Sequence, residues 1–308
     1  AESFMSSVFL HVFIPAFGHS PYLKGAMKSA IESVAATTPI TVIDDASPTK
    51  EVHSIVAEFQ PRVQYLCNES NLGVAGNFLN AFNLSTGLFT VVMGSDDQML
   101  PGYESELSKT FSSFPDSTVI QPRVVVINEA GQICKPLVDR VKRRIQGPVS
   151  KDTIMNPLAL ARRLFIGDFM YFPATAWRTE TLESANWNLT YKNAVDLDLL
   201  FQLSLSGEQF VFQNWRQALA GVAAGTDHHP LGAHHAAGGL QMVYAVNGLP
   251  ALHRAGGMHF GAQRAGFFHQ AKGEFQRAYA PALGLPHGGV RIALVAIVFV
   301  QLLRAHHA

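Results

Sequence analysis

Charge is scarce in this 308-residue chain: Asp, Glu, Lys and Arg make up 15% of it, against about 25% in an average soluble domain. Acidic and basic residues cancel to a formal net charge of zero, so no overall basic field argues for a nucleic-acid partner. Cysteine is scarcer still. Cys67 and Cys134 have neither the spacing of a metal motif nor the number for a disulfide framework. A reducing compartment is the simpler expectation. Long apolar runs are missing as well. Val8 to Ile14 is too short, and lacks the basic flank, for a secretory signal core. Val290 to Leu303 falls short of the roughly 20 residues of a membrane span. A cytoplasmic protein is expected. Peripheral contact with a membrane face stays open, at Val290–Leu303 and at the basic run Arg140-Val141-Lys142-Arg143-Arg144. For that run a solvated loop or helix end is the plain alternative.

What is present is alternation. Val8–Ile14, Ile40–Ile43, Val63–Leu66 and Phe89–Met93 read as short strands, nearly continuous in apolar character. Between them lie segments with apolar residues at spacings of three and four. They open at Ser20-Pro21, at Ser47-Pro48 and near Gly76. Strands covered on both faces by helices predict an α/β fold with a mostly parallel sheet flanked by helices. A further strand is expected over Val119–Val126, a helix capped by Asn156-Pro157, strand and loop at Tyr171–Thr175, a helix over Ala194–Ser206 and a strand at Phe210–Phe212.

Near Arg216 the composition breaks. Beyond it only Asp227 and Glu274 are acidic, and ten of the thirteen histidines lie there. The pairs His228-His229 and His234-His235 lack the partners of a transition-metal site. A shifted reading frame would produce such a break. The expected organisation is a first half at 1–127, a second half at 128–215, and an atypical Gly- and His-rich tail at 216–308.

Ligands of such folds gather beyond the carboxyl ends of the strands. Those ends carry Pro15-Ala16-Phe17, Asp44-Asp45, Asn68 to Asn71 and Ser95-Asp96-Asp97. Asp96 and Asp97 follow the fourth strand directly. If the chain stays extended there, the two side chains point apart, with Asp97 reaching a metal ion and Asp96 a ribose; a turn or helix cap is the plain alternative for such a pair. Asp45 suits hydrogen bonding to a nucleotide base, or a capped turn; Pro15 and Phe17 suit a base pocket, or plain packing for Phe17. Asn71-Leu72-Gly73-Val74-Ala75-Gly76-Asn77 is neither a dinucleotide fingerprint nor a Walker loop. Its helix-start amides are suited to a polar ligand, with Asn77 bracing the loop as an alternative. In Val195-Asp196-Leu197-Asp198-Leu199 the two acids cannot share a helix face. Asp196 is the better general base and Asp198 a support, unless both are solvated. Trp177 and Trp187 suit a sugar-lining surface or the core.

Taken together, Val42-Ile43-Asp44-Asp45-Ala46-Ser47, the Asn71–Asn77 run and Gly94-Ser95-Asp96-Asp97-Gln98-Met99-Leu100-Pro101-Gly102 resemble family 2 glycosyltransferases in order and spacing. The resemblance spans about residues 6 to 215 and implies a nucleotide-sugar-binding half at 1–127 and an acceptor-binding half with the catalytic base at 128–215. It implies a GT-A, Rossmann-like fold and inverting transfer from a UDP-, dTDP- or GDP-sugar. It also implies a Mg²⁺ or Mn²⁺ ion and a glycan or lipid-linked acceptor, as in bacterial surface polysaccharide synthesis. It places Asp45 at the base, Asn71 and Asp96 beside the donor, Asp97 at the metal and Asp196 as catalytic base. The late motif departs from the family at Val195, where an acid is usual, and Arg216 is a weak match to a diphosphate-holding residue. A nucleotidyltransferase is the first alternative, although a Gly-rich basic loop is missing around Pro15 to Ser20. A catalytically impaired glycan- or nucleotide-sugar-binding protein is the second.

Overall fold

The computed structural model describes residues 8–128, 131–183, 185–187, 195–214 and 219–223. In chain order the elements begin with β1 (Val8–Ala16), α1 (Leu23–Ser33), β2 (Ile40–Asp44), α2 (Glu51–Ala57), β3 (Gln64–Cys67), α3 (Gly73–Asn83), β4 (Gly87–Val92) and α4 (Tyr103–Ser113). Then come β5 (Ser117–Gln121), β6 (Val124–Ile127), β7 (Ile133–Cys134), α5 (Leu137–Gln146), β8 (Thr153–Met155) and α6 (Pro157–Ile166). A 3-10 turn at Phe172–Ala174 leads into β9 (Ala176–Arg178), α7 (Thr179–Glu183), α8 (Val195–Leu205), β10 (Gln209–Phe212) and β11 (Leu219–Ala223).

The large sheet runs β3-β2-β1-β4-β9-β5-β10-β8. Pairing among β3, β2, β1 and β4 is parallel throughout, as is β5 with β10; β9 enters antiparallel between β4 and β5, and β8 is an antiparallel edge. Successive residues of β1 feed opposite cores. Phe13 packs with Phe82, Leu160 and Leu200, while Val12 and Ile14 pack with Met27, Val52 and Leu107. Helices α3, α6 and α8 therefore cover one face, and α1, α2 and α4 the other. Burial on both faces is why these strands read as unbroken apolar runs. β6, β7 and β11 form a separate sheet in the order β11-β6-β7.

Several local expectations shift. The strand expected over Val119–Val126 is two strands in different sheets, parted at Pro122-Arg123. Proline cannot donate to a ladder, so pairing ends there. Neither Ser20 nor Ser47 caps a helix: α1 starts at Leu23 and α2 at Glu51, both without a side-chain cap. Asn156 does cap α6, accepting from Ala159 N at 3.1 Å. The basic run lies within α5, with Lys142 buried and Arg140, Arg143 and Arg144 exposed. β11 lies beyond the boundary expected at 216, and its parallel pairing with β6 carries a sheet to Ala223. Arg216, the His228-His229 and His234-His235 pairs and Val290–Leu303 lie outside the described residues. No helix among the described residues is long and apolar enough to cross a membrane.

Candidate active site

Strand order reverses between β1 and β4, and the carboxyl ends there carry the predicted acids. Asp44 ends β2 and is 2% exposed. Its carboxylate accepts from Ser47 N at 2.9 Å and Tyr65 OH at 2.7 Å. Ala46 has φ of 58°, a left-handed conformation that costs a non-glycine residue about 1 kcal/mol. The Asp44–Ser47 turn sustains it, and Ser47 Oγ accepts from Gly18 N at 2.8 Å, fastening the β1 end to the β2 end.

Asp45 is 4% exposed, and its N–H donates to Ala16 O at 2.9 Å. Its carboxylate is thoroughly used. Oδ1 accepts from Asn68 Nδ2 (2.8 Å) and Leu72 N (2.9 Å), and Oδ2 from Gly73 N (3.0 Å). The acceptor at the start of α3 is thus Asp45 itself, in the place where the sequence suggests a ligand would meet those amides. Gly73 begins the helix at φ of 68°, a value glycine reaches without strain. Asn71 is exposed and also accepts from Gly73 N, at 3.0 Å. Asn68 is a hub, legible in the sequence only as part of a strand end. Its Nδ2 also donates to Asn77 Oδ1 at 3.1 Å, and its Oδ1 accepts from Asn80 Nδ2 at 2.8 Å. Asn77, 3% exposed, braces the loop. Pro15 and Phe17 sit half-buried at the β1 end.

β4 stops at Val92, so Gly94–Asp97 is a turn closed by Asp97 N donating to Gly94 O at 3.1 Å. The alternation expected of an extended segment therefore does not apply. Asp97 is 2% exposed, and its Oδ2 accepts from Gly94 N at 3.1 Å. A Cβ on Gly94 would stand 2.7 Å from Asp97 Oδ2 and 2.8 Å from Asp96 Oδ1. Both carboxylates therefore bring an oxygen to one small region, instead of pointing apart. Burial pushes the Asp96 carboxyl above its usual range. Helix α1 pins the chain just beyond the turn: Met99 N donates to Ser29 Oγ (3.0 Å) and Met99 O accepts from Ser33 Oγ (2.9 Å). Asp96 and Asp97 line a cleft with Tyr22 and Gly25 on one side and Ile127 and Asn128 on the other.

Asp196 sits in the first turn of α8, 3% exposed, and accepts from Leu197 N at 2.9 Å. Burial, then the Asp168 carboxylate, raise its pKa to about 7. Asp198 is also 3% exposed; it accepts from Gln202 Nε2 at 2.7 Å, and Gln202 reaches Asn186 O at 2.9 Å. Neither acid is solvated. Trp177 lies in β9 with 0% exposure, its ring centroid 5.0 Å from that of Phe172, and so lines no sugar surface. Trp187 packs against Phe82 at 5.3 Å and donates from Nε1 to Leu182 O at 3.0 Å. The side chain of Val195 lies outside the described residues. The acids thus fall in three places: Asp45 at the α3 start, Asp96 with Asp97 beyond β4, and Asp196 in the first turn of α8. Among the described residues no three or more of His, Cys, Asp and Glu cluster as a metal site.

Comparison with known proteins bears on the family and the fold. Residues 11–170 match "Glycosyl transferase family 2", a stretch that includes Asp45, Asp96, Asp97 and Asp168 and stops before Asp196. An "uncharacterized glycosyltransferase" of Methanocaldococcus jannaschii is 26% identical over 117 residues, which are 37% of this chain and 40% of that protein. Among solved structures, S. aureus TarS is similar with a TM-score of 0.56 at 17% identity, over 70% of this chain and 37% of that one. Its 1–349 fragment in complex with UDP-GlcNAc gives a TM-score of 0.55 at 16% identity, over 72% of this chain and 60% of the fragment. The chain therefore spans less than two thirds of the length of each of these relatives, and the structural likenesses establish the fold. With a family match over more than half its length, the chain belongs to glycosyltransferase family 2.

Proposed function

We propose that the protein transfers a sugar from a nucleotide-sugar donor to a glycan or lipid-linked acceptor, with inversion at the anomeric carbon. The observation that carries this reading is the Gly94–Asp97 turn, which gathers two carboxylates at the end of β4 on the wall of a cleft. Two converging carboxylates suit a hard divalent cation, Mg²⁺ or Mn²⁺, whose remaining ligands would be phosphate oxygens and water. Asp97 would hold it, with Asp96 on the ribose side. When bound, such an ion offsets the charge of a diphosphate leaving group.

The chain's own residues have separable tasks. Pro15 and Phe17 flank the nucleotide at the β1 end, with Asn71 at the rim. Asp45 acts on the base side by holding the α3 start in place. Asp196 takes the proton of the attacking hydroxyl on the face of the sugar opposite the diphosphate. A carboxylate with a pKa near 7 is matched to that task at neutral pH. A cytoplasmic site of action goes with this reading, since activated sugars are made there.

TarS 1–349 has been seen with UDP-GlcNAc, so UDP-sugars are the first donors to test. Calorimetry on the full chain is expected to show UDP-sugar binding that requires Mn²⁺ and weakens at least tenfold in Asp97→Asn. Metal-independent binding, or an unchanged Asp97→Asn variant across UDP-, dTDP- and GDP-sugars, would count against it.

A further inference from the structure

Charge cancels over the whole chain but not along it. Residues 131–166 hold eight Lys and Arg against two Asp and no Glu, in a chain with 23 residues of each sign. Such segregation creates a local field that the net charge hides. Neither acid of the stretch is exposed. Asp139 accepts from Tyr171 OH, and Asp152 accepts from Thr110 Oγ1 at 3.0 Å and from Asn214 N at 2.9 Å. Two of the bases are also spent inside, Lys142 on Met170 O and Arg163 on the carbonyls of Ile145 and Gln146. Lys135, Arg140, Arg143, Arg144, Lys151 and Arg162 are exposed.

Large apolar side chains stand among them. Ile133 of β7 is 71% exposed, and Leu137 is exposed at the start of α5. Spacings of three and four put Leu137, Arg140 and Arg144 on one face of α5, opposite the buried Asp139 and Lys142. Helix α6 repeats the pattern and has no acid: Leu158, Arg162 and Ile166 are exposed at spacings of four. The C-terminal ends of the two helices meet, where Arg163 Nη1 donates to Ile145 O at 3.2 Å.

The mixture selects the occupant. A soluble polyanion would need the bases but not Ile133 and the leucines. A purely apolar partner would leave six cations unmatched. A bilayer containing anionic lipid meets both, with headgroup phosphates taking the cations and the acyl boundary taking the apolar side chains. We propose that β7 and the exposed faces of α5 and α6 dock on such a bilayer. The place bears on the cleft. Asn128 and Gly131 line the cleft with Asp96 and Asp97, and Ile133 follows Gly131 by two residues. Docking there sets the cleft beside the headgroups, within reach of an acceptor carried on lipid. The docking itself does not rest on the sugar-transfer reading.

The test is co-sedimentation of the full chain with vesicles of phosphatidylcholine containing phosphatidylglycerol, with no donor or acceptor added. Binding is expected at low salt, and should weaken at least tenfold on phosphatidylcholine alone or when salt is raised. Arg140→Gln with Arg144→Gln should weaken it roughly tenfold or more at the same salt. Ile133→Ser with Leu137→Ser, which leaves the charge unchanged, should weaken it at least threefold. All four positions are exposed, and each variant is to be used only with the circular dichroism spectrum of the wild type. Wild type that stays in the supernatant with anionic vesicles overturns the proposal. So does binding that the arginine variant keeps in full, which would place the contact elsewhere in the chain, such as Val290–Leu303. Binding that the arginine variant loses and the serine variant keeps in full overturns the bilayer as occupant in favour of a soluble polyanion. Vesicle binding as expected, with no sugar transfer from any donor, would count against the proposed function and leave the docking standing.

Discussion

Gly94 and His11 show how much a single position carries in this chain. A methyl group on Gly94 would press on both Asp96 and Asp97, so the convergence of two carboxylates depends on the missing side chain between them. His11, at the opposite end of the sheet, is 5% exposed. Thr86 N donates to its Nδ1 at 3.3 Å, which makes Nε2 the protonated nitrogen, 2.9 Å from Thr41 Oγ1. Burial lowers its pKa from 6.5 to about 4. Below pH 6.5 the unfolded chain binds a proton that the folded chain refuses, so stability falls as pH drops from about 6.5 toward about 4 and then levels. The expected loss is about 3 kcal/mol at the low end. Urea denaturation across that window should show it, and His11→Gln should flatten the dependence.

At the scale of elements, Asp45 clamps the end of β2 to the start of α3. Asp45 was legible as a polar residue at a strand end. Its partners were not, because Asn68, Leu72 and Gly73 come to it through the pairing of β2 with β3 and the packing of α3. Removing its carboxylate takes the acceptor from Leu72 N and one of two acceptors each from Asn68 Nδ2 and Gly73 N, at a cost of about 1–3 kcal/mol in all. Asp45→Ala is therefore expected to lower unfolding free energy by roughly 2 kcal/mol, read from the urea midpoint. An unchanged midpoint with nucleotide binding lost would return Asp45 to a purely ligand-facing role. Helix starts were misplaced for a related reason. Ser20 and Ser47 have the residue type of a cap, but Ser47 is spent on Gly18 N, and type alone does not reveal a competing partner. Trp177 shows the same limit, since its burial follows from β9 lying between β4 and β5.

Across the whole molecule, the cleft lined by Asp96 and Asp97 is shared between two sheets. Asp96 and Asp97 extend from the large one, while Ile127 and Asn128 follow β6 of the small one. β11 supports that wall by pairing with β6 at Val124 and Val125, which the β7 register does not reach. A chain ending at Asn214 is expected to exchange the Val124 and Val125 amides at least tenfold faster while those of β1 keep their protection. Equal protection in both would mean that β11 does not hold the wall. The division expected at 216 thus falls between the cleft and a strand that flanks it.

The sequence by itself determined the alternation of strands and helices, the strand ends at which acids gather, and the family to which their order belongs. These follow from local periodicity and from the placement of polar residues directly after apolar runs, which a linear reading can see. Tertiary structure alone decided what surrounds the acids. It turned Asp45 inward onto an α3 amide pair, brought Asp96 and Asp97 to one region through a turn, and buried Asp196 in the first turn of α8. Charge, burial and hydrogen bonding at a carboxylate depend on groups far away in the chain. They are fixed only when separate helices and loops pack against the same strand ends.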